Sequence, residues 1–198
     1  ENAELILLGV QSHSDSETIK IKIKLIKFLH QEMGFEIFDL PFEGNGGTYP
    51  VKNFFARLGT GSPHFCYAGH TDVVPTGDEN LWTYPPFDPV IKDGIMYGRG
   101  TSDMKGGNAA FVSAISKFLE TNKDFKGSIS LLITGDEEAQ SINGTDQVLR
   151  WMKENNHIPD FTLVGEPSNI NELGEEIKIG RRGSLSGTLT IKGKQGHV

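Results

Sequence analysis

Two hydrophobic periods, one of a strand and one of a helix, succeed each other along this chain. Between Ser14 and Gly34 they overlap. Ile19, Ile21, Ile23 and Leu25 alternate with Lys as a strand would, yet Ile19, Ile23, Ile26, Leu29 and Met33 recur at helical spacing. Ser14 and Glu17 have the spacing of a capping box and Gly34 offers a C-terminal stop, so a helix is predicted. Strand-like runs follow at Phe35–Leu40, Val51–Leu58 and His64–Ala68, with a loop at Gly44–Gly47. Pro75–Pro89 is too rich in Pro, Gly and acidic residues for long regular structure, and Val90–Tyr97 reads as a hairpin turning at Asp93–Gly94.

From Asp103 to Glu120, Met104, Phe111, Ala114, Ile115, Phe118 and Leu119 mark the buried face of a helix. Ser128–Thr134 is almost continuously apolar, as expected of a strand covered on both faces. A helix at Thr145–Asn155 and a short buried strand at Phe161–Val164 come next; Ile177–Ile179 and Ser184–Ile191 return to strand character. Strands alternating with helices predict an α/β sandwich around a mostly parallel sheet.

Chemistry gathers just past the strands. His64–Ala68 runs into Gly69-His70-Thr71-Asp72, Ser128–Thr134 into Gly135-Asp136-Glu137-Glu138, and Phe161–Val164 into Gly165-Glu166-Pro167. A fourth piece, Gly98-Arg99-Gly100-Thr101-Ser102-Asp103, sets an Asp at a predicted helix start. Each alone has a plain reading: a turn with a capping Asp, a solvated helix start, a loop end. Together they deliver imidazole and carboxylate groups to the edge where open α/β sheets bind ligands. Such a set suits a divalent ion, zinc or a neighbour such as cobalt or manganese. Metal charge would also let crowded carboxylates stay ionised side by side.

Composition narrows the options. The 198 residues suffice for one well-buried domain and the edge of a second, and a formal charge of −7 argues against a nucleic-acid surface. No run is long enough to span a membrane, and the opening lacks a signal-like pattern. The single Cys66 excludes an intrachain disulfide and suits a reducing, cytoplasmic setting. The absence of an initiator Met, and a stop at Gly196-His197-Val198 after a strand-like run, predict a piece of a longer protein.

In order, Ala68-Gly69-His70-Thr71-Asp72-Val73-Val74-Pro75-Thr76-Gly77, Tyr97-Gly98-Arg99-Gly100, Asp103-Met104-Lys105-Gly106, Gly135-Asp136-Glu137-Glu138-Ala139, Val164-Gly165-Glu166-Pro167 and Gly180-Arg181-Arg182-Gly183-Ser184 resemble the M20 metallopeptidase and deacylase family. The resemblance is carried by roughly residues 60 to 198 and only loosely by the rest. Thr76–Trp82 and Gly180–Ser184 are most similar to the desuccinylase branch; acetylornithine deacetylases, aminoacylases and carboxypeptidases share the metal residues. A non-catalytic binding module is the alternative from another class, and it predicts loss of Glu137 or a ligand, whereas His70, Asp103, Glu137, Glu138 and Glu166 are all present.

The resemblance implies a zinc-exopeptidase-like three-layer sandwich as catalytic domain over residues 1–181, and the start of an inserted α+β lid and dimerisation domain over 182–198. It implies two Zn2+ ions: His70 and Glu166 on the first, Glu138 on the second, and Asp103 bridging. Asp72 would hydrogen-bond the other nitrogen of His70, and Glu137 would be the general base for cleaving an amide in a small N-acyl amino acid. Arg182 becomes a candidate for a substrate carboxylate, and His197 matches a lid residue that reaches across a homodimer to the neighbour's oxyanion. Both also have plain readings, as surface charge and as a surface His. The family's second ion takes a further His that is not in this sequence, so the first ion should bind more tightly than the second, and turnover by this chain alone should be slight. His13, His30, His64 and His157 lie outside every motif and are expected to be surface or packing residues.

Overall fold

The computed structural model describes residues 16–43, 49–180, 183 and 185–197, in two compact units, Glu1–Pro167 and Ser168–Val198. The first unit is built on a five-stranded sheet: β1 (Glu36–Phe42), β2 (Val51–Leu58), β3 (His64–His70), β6 (Ser128–Thr134) and β7 (Phe161–Val164), in the order β1-β2-β6-β3-β7. β4 (Val90–Lys92) and β5 (Ile95–Tyr97) make a separate antiparallel hairpin. Its turn has Asp93 at φ 52° and Gly94 at φ 78°, the pair of left-handed residues a two-residue hairpin demands.

The sheet is mixed. β2 pairs antiparallel with both β1 and β6, while β3 pairs parallel with β6 and β7, so four of the five strands point one way. Side-chain alternation on the inner strands builds two cores. Phe54, Ala56, Tyr67, Leu131 and Ile133 face α1 (Ser16–Lys27) and α2 (Gly106–Thr121); Phe55, Cys66 and Leu132 face α3 (Thr145–Glu154) through Val148 and Met152. Apolar residues on both faces are why β6 reads as an unbroken apolar run, and they give the helix–sheet–helix sandwich its three layers.

Several elements differ from expectation. α1 ends in a π-type turn, Phe28–Glu32, before Gly34 at φ 75°. Its buried stripe is Leu25 and Leu29 with Ile26 and Met33 alongside, and Ile23 is exposed; Ser14 of the expected cap lies outside the described residues. So does the whole of the Gly44–Gly47 loop. α2 begins only at Gly106: Asp103 is extended (φ −116°, ψ 101°) inside a kinked turn, Thr101–Lys105. Ala114 and Phe118 of its expected buried face are exposed, and Val112 is buried instead. β7, expected to be buried, is an edge of the described sheet, with Phe161 63% and Val164 56% exposed. In the second unit the described residues form no helix or strand. Ile179, Leu185, Leu189 and Ile191 are exposed there, because no neighbouring strand pairs with them.

Candidate metal centre

Parallel strands end on the same side. β3 and β6 are in register to their last residues, His70 opposite Thr134, and Ala68 pairs with Val164 near the end of β7. Two further bonds carry the ladder past the strands, Thr71 N–H to Thr134 O (2.9 Å) and Gly165 N–H to Ala68 O (3.0 Å). His70, Glu137–Glu138 and Glu166 therefore emerge together.

His70 is buried and fixed from behind. The Asn108 side chain at the start of α2 donates to its carbonyl (2.8 Å), and Tyr67 Oη donates to Asn108 Oδ1 (2.9 Å). Tyr67 itself stacks on Phe111 at 4.3 Å between centroids. α2 approaches this closely because Gly107 lacks a side chain: a Cβ there would come within 2.7 Å of the Gly165 carbonyl oxygen.

His70 Nδ1 lies 2.9 Å from the main-chain carbonyl of Asp72 and 3.6 Å from Asp72 Oδ1. The carbonyl, rather than the expected carboxylate, takes the ring's N–H at hydrogen-bond distance, which leaves Nε2 with a free lone pair. Against that lone pair stand two more electron-rich atoms, Asp103 Oδ1 at 3.1 Å and Glu166 Oε1 at 3.4 Å. Three such atoms converge only around a cation or a proton. Ligands about 2.0–2.2 Å from one tetrahedral ion sit roughly 3.3–3.5 Å from each other, so the donor set fits a divalent metal.

Electrostatics points the same way. Burial resists protonation of His70, but the Asp72 carboxylate and carbonyl, with Glu166 and Glu137, outweigh it and raise its pKa. Burial and then the charge of Asp103 push both Glu138 and Glu166 above the usual carboxylate range. A bound cation would relieve this crowding.

The structure brings His70, Asp103 and Glu166 together with donor atoms within 4.8 Å of one another, and His70, Glu137 and Glu138 equally so. Asp103 is half exposed and reaches the rim from the loop, not from a helix. His197 is exposed within the second unit, and Arg182 lies outside the described residues. His64 is buried and His157 half-buried, and both pack within the first unit: His64 Nε2 is 2.7 Å from Ser130 Oγ, and His157 stacks on Trp151. His13 is outside the described residues.

Sequence reading missed Asn108, Tyr67 and Asn53. Asn53 Oδ1 accepts from Thr134 Oγ1 and Gly135 N–H and so secures the end of β6. Their signal was present: an Asn early in an apolar helix after two glycines, and an Asn inside an apolar strand, are both poor choices unless the side chain is used.

The chain matches the profile described as Peptidase family M20/M25/M40 over residues 66–193. It is 54% identical over 166 residues to the succinyl-diaminopimelate desuccinylase of Gluconacetobacter diazotrophicus, covering 84% of this chain and 42% of that protein. To the protein of the same name in Rhodospirillum centenum it is 56% identical, covering 84% and 43%. The chain thus spans less than half the length of these relatives. Among solved structures, human carnosine dipeptidase 1 superposes with a TM-score of 0.63 at 24% identity, covering 81% of this chain and 36% of that one. The M20 metallo-carboxypeptidase Sso-CP2 of Sulfolobus solfataricus gives 0.61 at 22%, covering 82% and 35%. At such identities these superpositions speak for the fold.

Proposed function

The chain belongs to the M20/M25/M40 peptidase family, and from that premise we propose that it is the greater part of the catalytic domain of a metal-dependent succinyl-diaminopimelate desuccinylase. The substrate would be N-succinyl-LL-2,6-diaminopimelate, cleaved at its amide to succinate and LL-2,6-diaminopimelate in lysine and diaminopimelate synthesis. One observation carries the chemistry: His70 Nε2, Asp103 Oδ1 and Glu166 Oε1 converge, with donor atoms within 4.8 Å of one another. The substrate rests on likeness to the two desuccinylases.

His70 and Glu166 would hold one Zn2+ (Co2+ or Mn2+ being the neighbours), Glu138 a second, and Asp103 both. Bound there, the ions would polarise the scissile carbonyl and make a water acidic. Glu137, beside them, accepts the proton of the attacking water on its carboxylate and returns it to the leaving nitrogen. Asp72 holds the surroundings of His70 in place. Arg182 is proposed for a substrate carboxylate and His197 for the oxyanion across a homodimer, with residues 182–198 the start of the lid. No helix of the described residues is long and apolar enough to cross a membrane; a cytoplasmic setting is proposed.

Assaying the purified protein on succinyl-diaminopimelate and on acetylornithine, with and without a chelator, tests this. Preference for the succinyl substrate, lost on chelation, is expected; preference for acetylornithine, or activity indifferent to the chelator, would remove the proposal. Glu137→Ala should cut kcat by about 10²–10⁴-fold or more while zinc still binds in a calorimetric titration. Turnover close to wild type would take the base role away from Glu137.

A further inference from the structure

Asp72 is tied to a different partner from the one its position beside His70 suggests. Its side chain is buried, and its Oδ2 accepts two main-chain hydrogen bonds, from the N–H of Glu137 and the N–H of Glu138, both at 2.9 Å. The nearest approach of its carboxylate to His70 is 3.6 Å, and the ring already has the Asp72 carbonyl at 2.9 Å. The two N–H groups belong to the first residues after the Gly135–Asp136 turn, where β6 has ended and no ladder remains to hold them.

Downstream, the loop is held in the same manner. Asp136 accepts N–H bonds from Ser141, Ile142 and Asn143 at 3.2, 3.0 and 3.0 Å. Two buried carboxylates thus bind the backbone of 137–143, which leaves the side chains of Glu137 and Glu138 free for the rim.

Two lysine side chains reach this part of the molecule from other elements. Lys22 on α1 donates to the Lys52 carbonyl at 2.9 Å, and its Nζ lies 2.9 Å from where a Cβ on Gly135 would stand. Lys105, buried in the turn before α2, packs its Nζ against Gly100. Neither Lys105 Nζ nor Asp72 Oδ1 has a hydrogen-bond partner among the described residues. Both lysines feel the Asp72 charge. A carboxylate makes a stronger bond to a main-chain N–H than a neutral amide oxygen does.

We propose that Asp72 is a positioning residue for Glu137 and Glu138, its carboxylate clamping their main-chain N–H groups, while the His70 ring is oriented by the Asp72 main-chain carbonyl. The inference rests on the metal-hydrolase reading for its consequence but not for its geometry.

The test compares Asp72→Ala with Asp72→Asn, whose amide oxygen can still accept both N–H bonds. In NMR spectra of the metal-free protein, the Glu137 and Glu138 amide protons should stand downfield, as charge-assisted bonds require. They should move upfield together in Asp72→Ala and only part of the way in Asp72→Asn, whose neutral amide oxygen still accepts but without the charge. In zinc titrations, Asp72→Ala should weaken the ion bound through Glu138 by about tenfold or more, and the ion bound through His70 and Glu166 by much less. Amides that do not move in Asp72→Ala, or equal weakening of both ions, would overturn the clamp. Should Asp72→Ala not fold, Asp72→Ser, whose hydroxyl is too short to reach both N–H groups, provides the second measurement: an upfield shift of the same two amides is expected, and unmoved amides would overturn the clamp. Absence of zinc uptake by the wild type would instead defeat the hydrolase reading, and the amide shifts would still decide the clamp.

Discussion

At the scale of single residues, the site depends on groups that never face a substrate. Asn108 links the hydroxyl of Tyr67 to the carbonyl of His70, and it is buried between strand and helix. Replacing it by Ala leaves a buried hydroxyl and a buried carbonyl unpaired, each costing roughly 1–3 kcal/mol. Asn108→Ala should therefore destabilise the fold by about 2 kcal/mol or more in urea unfolding, and loosen the His70 ring behind the rim. A variant within about 0.5 kcal/mol of wild type would show that water takes over the bonds. Of the rim itself, His70, Asp103, Glu137, Glu138 and Glu166 were legible from sequence because each follows a strand or a glycine-rich turn. The bond of His70 to a carbonyl was not, since main-chain partners leave no trace in residue type. Nor were the partners of the Asp72 carboxylate, since the main-chain N–H donors lie 65 and 66 positions away along the chain.

Elements built from two-sided apolar runs were the readable ones. β2 and β6 begin and end where the pattern placed them, since both faces of each meet a helix layer. β7 has the same composition but lies at the edge, and burial there depends on a neighbour rather than on its own residues. In α1, Lys22 lies three residues before Leu25 and seven before Leu29, on the side of the buried stripe. Burial lowers the Lys22 pKa from 10.5 to about 8, against the attraction of Asp72. Between those values the unfolded chain carries a proton the folded one has released. Stability should thus rise with pH from about 8 towards 10.5, while below 8 the cost of burying the charge is fully present. Relative to Lys22→Met, the wild type should gain stability when urea unfolding is moved from about pH 7.5 to about pH 10, whatever the offset between them at one pH. A gap that stays constant, or widens against the wild type, would show that Lys22 titrates as an exposed lysine.

Over the first unit as a whole, the proposed ligands come from pieces far apart in sequence: the end of β3, the turn before α2, the segment after β6 and the segment after β7. Burial, and then the charge of Asp103, push Glu138 and Glu166 towards their neutral forms. An ion that binds only this arrangement stabilises it by mass action, about 2.7 kcal/mol at a free concentration one hundred times its Kd. Because the ligand-bearing pieces flank three of the five strands, the gain should appear in the cooperative unfolding of the sheet and not as local ordering of one loop. Removing metal with a chelator is therefore expected to lower the Tm by several degrees, and adding back zinc to restore it. His70→Ala should abolish that restoration. Glu138→Ala should reduce it only in part, because His70, Asp103 and Glu166 remain as a complete set for the first ion. A Tm that ignores both chelator and zinc, in a protein whose circular dichroism shows it folded, would mean that the converging carboxylates are held by the protein alone.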